Sequence, residues 1–262
     1  MNKWTPISIG HVTFQPGNFL LVAGPCSIEG HDQFLEVGGE VQKLGAQALR
    51  GGMFKLRTDP DSFQGLGREA FNIAKQVKEK TGMGFISEIT DPRQVGDFYD
   101  VVDCYQVGSR NMHNYALLKE LGKVDKPVLL KRGFSGLIKE WILAADYVRR
   151  GGNEQVILCE RGIRTFETAT RNTFDLNAIA YIKKHYDFPV IADPSHATGD
   201  SELVTPMALA AVVAGADGLL VEVHQKPENA FSDGHQALNF SQFATLTDKL
   251  KQLLPLVDKQ LG

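Results

Sequence analysis

Eight short apolar or β-branched runs, each ending near a polar or charged residue and followed by a loop and a helical period, constrain this chain more than any other feature. The runs are Leu20-Leu21-Val22-Ala23, the stretch from Ala48 through Phe54, Gly84-Phe85-Ile86-Ser87, Cys104-Tyr105-Gln106-Val107, Val128-Leu129-Leu130, Val156-Ile157-Leu158-Cys159, Val190-Ile191-Ala192 and Gly218-Leu219-Leu220-Val221. Near-continuous apolar strands of this length belong in a parallel sheet covered on both faces; a strand with one wet face would alternate. Between them the period becomes that of an amphipathic helix, as at Ala70, Ile73, Ala74 and Val77, at Ile138, Trp141, Ile142 and Ala145, and at Phe243, Leu246, Leu250 and Leu253. Eight such units, with strands starting about 20 to 36 residues apart, predict an α/β fold of the closed (β/α)8 TIM-barrel kind over a doubly wound open sheet.

Residues 1–18 precede the first strand, and the alternation of Ile7, Ile9, Val12 and Phe14 around Gly10-His11 predicts a short hairpin closing the barrel floor. No linker, low-complexity tract or longer repeat interrupts the pattern, so residues 1–262 are expected to form a single catalytic barrel with 1–18 as its N-terminal extension. A net charge of −3 provides no global field for nucleic acid or an anionic membrane, so neither partner is expected and any anion site must be local. No apolar run approaches the roughly 18 residues that cross a bilayer, and the N-terminus lacks a signal-peptide core, which predicts a cytoplasmic protein. Cys26, Cys104 and Cys159 are odd in number and form no C-x-x-C pair, which excludes a disulfide framework and a structural zinc site of local spacing.

In a barrel, chemistry sits where the strands run out at the C-terminal face. The residues there are Cys26, Lys55 with Arg57, Glu88, Arg110, Lys131 with Arg132, Glu160 with Arg161, His196, and Glu222 with His224. Two sets separate. The first is cationic: Arg50, Lys55, Arg57, Arg110, Lys131, Arg132 and Arg161. Any one of these is accounted for by an ion pair with Glu88, Glu160 or Glu222, or by snorkelling to solvent. As a group they repel one another unless anions occupy the space between them, and phosphate or carboxylate suits them. The second set is Cys26, His196, Glu222 and Asp233, whose thiolate, imidazole and carboxylates suit a borderline divalent ion such as Mn, Fe, Co or Zn better than Mg or Ca. Read singly, Cys26 is more often a buried small residue and His196 more often a hydrogen-bonded loop histidine, and sequence spacing does not help the metal reading. Many glycines lie near the mouths, but none forms a dinucleotide fingerprint or a P-loop.

Ala23-Gly24-Pro25-Cys26-Ser27, Leu49-Arg50-Gly51-Gly52, Ser62-Phe63-Gln64-Gly65-Leu66-Gly67, Arg110-Asn111-Met112, Leu130-Lys131-Arg132-Gly133, Cys159-Glu160-Arg161-Gly162, Asp193-Pro194-Ser195-His196 and Ala216-Asp217-Gly218 closely resemble the 3-deoxy-D-arabino-heptulosonate 7-phosphate synthase family. The resemblance runs from about residue 18 to 240. It is to the microbial branch related to 3-deoxy-D-manno-octulosonate 8-phosphate synthase, without the regulatory domain some members add. It implies a metal-dependent transferase, an aldolase-type enzyme condensing phosphoenolpyruvate with erythrose 4-phosphate and releasing phosphate, the entry step to the shikimate pathway, chorismate and the aromatic amino acids. It implies one divalent metal, manganese first, on Cys26, His196, Glu222 and Asp233. Phosphoenolpyruvate would be held by Arg110, Lys131 and Arg161 with Arg50 and Lys55 nearby, and the sugar phosphate by Arg57 and Thr58, with Ser109 beside them. In the implied reaction the metal polarises the aldehyde, C3 of the enol phosphate attacks it, and water captures C2 before phosphate leaves. Lys55 or a water on the metal is the candidate proton donor, with Glu88 orienting water and Cys26 and His196 essential through the metal. A homotetramer or dimer is implied as well.

The chain departs from the family pattern at Leu56, where proline is usual, and at Ser109, where alanine is common; Asp61 places a carboxylate near a phosphate-binding loop. These changes bear on sugar affinity more than on reaction type. Two rivals remain. An octulosonate phosphate synthase would use arabinose 5-phosphate, and its acceptor loop usually carries lysine-alanine-asparagine-arginine where this chain has Lys55-Leu56-Arg57-Thr58. A non-catalytic barrel that senses phosphometabolites would have little use for four metal ligands.

Overall fold

The computed structural model of the protein describes residues 4–262. The alternating residues near the N-terminus form an antiparallel hairpin of β1 (Ile7–Ile9) and β2 (Val12–Phe14), turning at Gly10-His11 as expected. The eight runs become β3 (Asn18–Gly24), β4 (Ala48–Arg50), β5 (Gly84–Ile89), β6 (Cys104–Val107), β7 (Val128–Lys131), β8 (Val156–Glu160), β9 (Val190–Ala192) and β10 (Gly218–Glu222). They pair in parallel in chain order, and β10 pairs back onto β3 with Leu220 opposite Val22, which closes the (β/α)8 barrel. The second run ends as a strand at Arg50, short of Phe54. A side chain at Gly51 would strike the Phe34 ring, so the backbone lies flat against it and turns out into the loop.

Helices cover the outer face. They are α1 (His31–Lys43), α2 (Glu69–Thr81), α3 (Gln94–Phe98), α4 (Tyr115–Leu121), α5 (Ile138–Arg150), α6 (Leu176–His185), α7 (Pro194–Thr198), α8 (Ser201–Val213) and α9 (Phe240–Leu253). The apolar stripes read from sequence are the buried faces: Ala70, Ile73, Ala74 and Val77 on α2, and Trp141, Ile142 and Ala145 on α5. Two elements have no counterpart in the sequence reading, the short helix α7 and a terminal strand β11 (Gln260–Leu261) that pairs with β3 outside the barrel. Among the described residues no helix is long and apolar enough to cross a membrane.

The period of two along each strand sorts side chains between two cores. Leu20, Val22, Ala48, Ile86, Cys104, Leu129, Ile157, Cys159, Ile191 and Leu220 point into the barrel and cluster with Trp4, Ile7, Ile9 and Phe14 of the hairpin segment. Their neighbours, among them Leu21, Leu49, Phe85, Tyr105, Leu130 and Leu158, pack outward against the helices. The hairpin therefore plugs the N-terminal end. Ile9 is fully buried there, and a Cβ on Gly84 at the start of β5 would lie 2.4 Å from the Ile9 carbonyl oxygen. Gly84→Ala is expected to force the plug away and cost about 1–3 kcal/mol of stability, the usual range for overpacking, read as a lower urea midpoint. An unchanged midpoint would mean that the hairpin does not seat against the barrel.

Candidate active site at the barrel mouth

Continuing the inward register two residues past the apolar layer changes its chemistry. Arg50, Glu88, Gln106, Lys131, Arg161, Asp193 and Glu222 share the parity of the interior residues, and all but Asp193 and Glu222 line a cavity of about 250 Å³. Cys26, Lys55, Arg57, Thr58, Ser109, Arg110, Arg171 and Asp233 join them from the connecting segments, and His196 from α7. All the substrate-site and catalytic residues expected from sequence thus meet at one mouth, with Glu222 directly behind the wall.

The four expected ligands converge most closely. Ligand atoms of Cys26, His196, Glu222 and Asp233 lie within 4.8 Å of one another. Donors bound at about 2.0–2.3 Å to one ion stand roughly 3–4.5 Å apart, so the spacing fits a single divalent ion. Each donor has its own support. His196 sits on α7, which begins with Asp193 accepting from the His196 amide at 2.9 Å and with Pro194 at the first helical position. Nδ1 of His196 lies 2.8 Å from Asp193 Oδ2, which turns Nε2 toward Glu222 at 3.4 Å. Burial pushes this imidazole down to about 4, so it is neutral and free to donate its lone pair. Glu222 accepts from Arg50 at 2.6 Å and from Gln236 at 2.6 Å. Burial alone would raise its carboxyl, but the surrounding cations hold it at about 2.

Asp233 adopts φ 52°, a left-handed conformation uncommon for a residue with a side chain. Its loop is pinned by a Ser27–Ser232 hydroxyl pair at 2.7 Å and by the Phe231 amide donating to Glu29 at 2.8 Å. The Cys26 thiol is pushed up to about 12, first by burial and then by Glu222, so it ionises only with a strong cation beside it. Lys55 supplies a cation there: its Nζ donates to Cys26 Sγ and, at 2.6 Å, to Asp233 Oδ2. Burial would lower Lys55, but the Cys26 sulfur and the Glu222 and Asp233 carboxylates raise it and keep it charged.

The cations divide. Lys131 donates to Asp193 at 2.6 Å, and Arg57 stands 3.8 Å from Asp233, so the ion-pair account covers these along with Arg50 and Lys55. Arg110 and Arg161 are different: among the described residues neither makes an ion pair, although Arg161 is only 2% exposed. Arg110 instead donates to Thr58 Oγ1 at 2.9 Å, and the buried Ser109 hydroxyl finds no partner. Seven cations line the cavity against the carboxylates of Asp59, Glu88 and Asp233. The excess positive charge favours an anion there.

Four residues singled out from sequence lie elsewhere. Arg132 and Glu160 have the outward parity and pair with each other at 3.0 Å on the far side of the barrel wall, with Asp175 2.8 Å from Arg132. His224 turns to Glu29, 3.3 Å away. Asp61 is exposed and lines no part of the cavity; the carboxylate that its loop contributes is Asp59. The sequence reading in turn passed over Asp193, Gln106, Phe134, Arg171 and Gln236. Inward parity counted from Ile191 and Cys104 would have found Asp193 and Gln106, whereas Arg171 comes from deep within a loop, 3.6 Å from Asp233, with no local signal.

Comparison with known proteins agrees with this geometry. Residues 6–259 match the model of the DAHP synthetase I family. A phospho-2-dehydro-3-deoxyheptonate aldolase of Thermotoga maritima is 44% identical over 95% of this chain and 74% of its own. A 2-dehydro-3-deoxyphosphooctonate aldolase of Desulfatibacillum aliphaticivorans is 30% identical over 88% of this chain and 90% of its own. The crystal structure of the Thermotoga maritima DAHP synthase superposes with a TM-score of 0.95 at 42% identity, covering 99% of this chain and 76% of that one. A truncated form of that synthase superposes with a TM-score of 0.92 at 40% identity, over 99% of this chain and 95% of the other. On the matched residues, the barrel and its mouth, the chain belongs to the DAHP synthetase I family.

Proposed function

We propose that the chain is a single-barrel, metal-dependent transferase that condenses phosphoenolpyruvate with erythrose 4-phosphate and water to 3-deoxy-D-arabino-heptulosonate 7-phosphate and phosphate, the first step of the shikimate pathway. One observation carries the reading: a single cavity brings three members of a four-donor cluster, with Glu222 directly behind its wall, together with Arg110 and Arg161, which make no ion pair among the described residues, in a chain 44% identical to an aldolase of that name. Arg110, Lys131 and Arg161, with Arg50 and Lys55 beside them, hold the enol phosphate so that its C3 faces the aldehyde carbon. Arg57, Thr58 and Ser109 receive the sugar phosphate. A divalent ion on Cys26, His196, Glu222 and Asp233, manganese first and iron, cobalt or zinc as alternatives, would supply Lewis-acid polarisation of the aldehyde oxygen. Lys55, held charged at the edge of the donor cluster, delivers the proton to the new hydroxyl. Glu88, hydrogen-bonded by Gln106 at 3.3 Å, orients the water that adds to C2. We extend the proposal to a cytoplasmic homo-oligomer, tetramer or dimer, which light scattering tests.

Phosphate release by the manganese-loaded protein, assayed with phosphoenolpyruvate and each of two aldose phosphates, tests the assignment. Release with erythrose 4-phosphate, lost on chelation and restored by manganese, is the expected result. Preference for arabinose 5-phosphate would move the chain to the octulosonate branch. Binding of phosphoenolpyruvate without turnover of any aldose phosphate would make it a sensor.

A further inference from the structure

The β7–α5 loop places a phenyl ring among guanidinium groups that make no ion pair with a carboxylate among the described residues. Phe134 has the Arg161 guanidinium 4.7 Å from its ring centroid, that of Arg110 at 5.3 Å and that of Arg164 at 4.5 Å. These arginines come from the loops after β6 and β8, on either side of the loop that carries the ring. The Phe134 carbonyl oxygen also accepts from the Arg164 amide at 2.7 Å, which ties the two loops together. Behind the ring, Gly133 and Gly136 pack on Met112, and the Gly133 amide points at the Met112 sulfur at 3.0 Å. The loop is thereby fixed from both sides.

Arg110 and Arg161 line the cavity and Arg164 stands exposed beside them, outside its lining; like charges this close repel, and some group must offset them without using up what they offer. A carboxylate would neutralise the guanidinium and occupy its N–H fork. An aromatic face attracts a guanidinium through its quadrupole within about 6 Å and leaves the in-plane N–H groups to an anion. We propose that Phe134 is a positioning residue for phosphoenolpyruvate, its ring gathering the two cavity-lining arginines, Arg110 and Arg161, while leaving their donors free for the ligand's phosphate and carboxylate, with Arg164 on the same ring outside the cavity. The inference rests on the function proposed above and adds to it a residue that acts through the arginines rather than on the reacting atoms.

The test compares Phe134→Leu, similar in size but without a quadrupole, with Phe134→Trp, which keeps an aromatic face, both as manganese-loaded full-length protein. Phosphoenolpyruvate affinity is measured by calorimetry without acceptor, and KM and kcat by phosphate release. F134L should weaken phosphoenolpyruvate binding about tenfold, the combined effect of the two modest cation–π contacts to Arg110 and Arg161, and raise its KM to match with kcat within about twofold. F134W should recover affinity to within about threefold of the parent. Undiminished affinity in F134L, or equal loss in both variants, would overturn the ring's role while the parent enzyme still bound phosphoenolpyruvate. Failure of the parent itself to bind would overturn the functional reading and this inference together.

Discussion

Replacing His196 with alanine is expected to abolish tight divalent-metal binding and to lower kcat/KM by on the order of 10³-fold or more, since metal polarisation of a carbonyl is worth several kcal/mol. His196 offers a neutral Nε2 to the cluster because burial keeps its imidazole down near 4 and Asp193 lies against its other nitrogen. Without it, Cys26, Glu222 and Asp233 remain, but Lys55 already reaches two of these and competes for them. Cys26→Ala should have a comparable effect on metal binding, because it removes the soft donor that favours a borderline ion. Two readouts separate this from misfolding. The parent should gain about 2.7 kcal/mol of stability at a manganese concentration 100 times its Kd, and H196A should gain nothing while unfolding cooperatively on its own. Near-parental turnover by metal-stripped H196A would remove the metal from the mechanism.

The barrel was legible because each strand announces itself twice, by its apolar run and by the helical period that follows. The site was legible in part, and the reason is parity. Lys131 and Arg132 are adjacent, so one faces the cavity and the other must face the helices; the same holds for Glu160 and Arg161. Grouping mouth residues by nearness to a strand end, without carrying the inward register through from Leu129 and Ile157, put Arg132 with the site cations although it is a structural ion-pair member. Asp193 went unassigned for the converse reason, standing one residue beyond the end of β9, where it reads as a helix cap. The contributions of the long loops were out of reach of any periodicity. Arg171 and Gln236 lie 65 positions apart in sequence and share a side-chain hydrogen bond beside Asp233. Asp233 is equally isolated in sequence: its residue type puts it in the donor set, and the family resemblance is what marks it as a ligand.

Asp193→Asn should be the most damaging substitution of a residue that binds neither metal nor substrate in the scheme proposed here. One fully buried carboxylate joins the two halves of the site: Oδ2 takes Lys131 at 2.6 Å and faces His196 Nδ1 at 2.8 Å, while Oδ1 caps α7. The Lys131 ammonium and the helix amide donate to it, and the imidazole nitrogen lies against it without a hydrogen bond. An asparagine must turn its own NH2 toward the helix amide or toward Lys131 and His196, so one orientation breaks the cap and the other opposes donor to cation. Breaking one side of a buried pair costs about 3–5 kcal/mol, which in a chain of this size lowers Tm by roughly 6–20 °C. Metal affinity should fall about 10–100-fold as the histidine loses its orienting partner. The pH dependence has a definite sign. Burial opposes ionisation of Asp193, but His196 and Lys131 overcome it and hold the carboxyl well below its ordinary value of 3.8. Its stabilising contribution is therefore complete above that value and is lost as pH falls through the lower, folded-state value. In chelator-treated protein, the stability difference between parent and D193N should be constant at neutral pH and shrink below about pH 4. A difference that held level into the acid range, or a variant with parental Tm and metal affinity, would show that Asp193 is not the link between the cationic wall and the donor cluster.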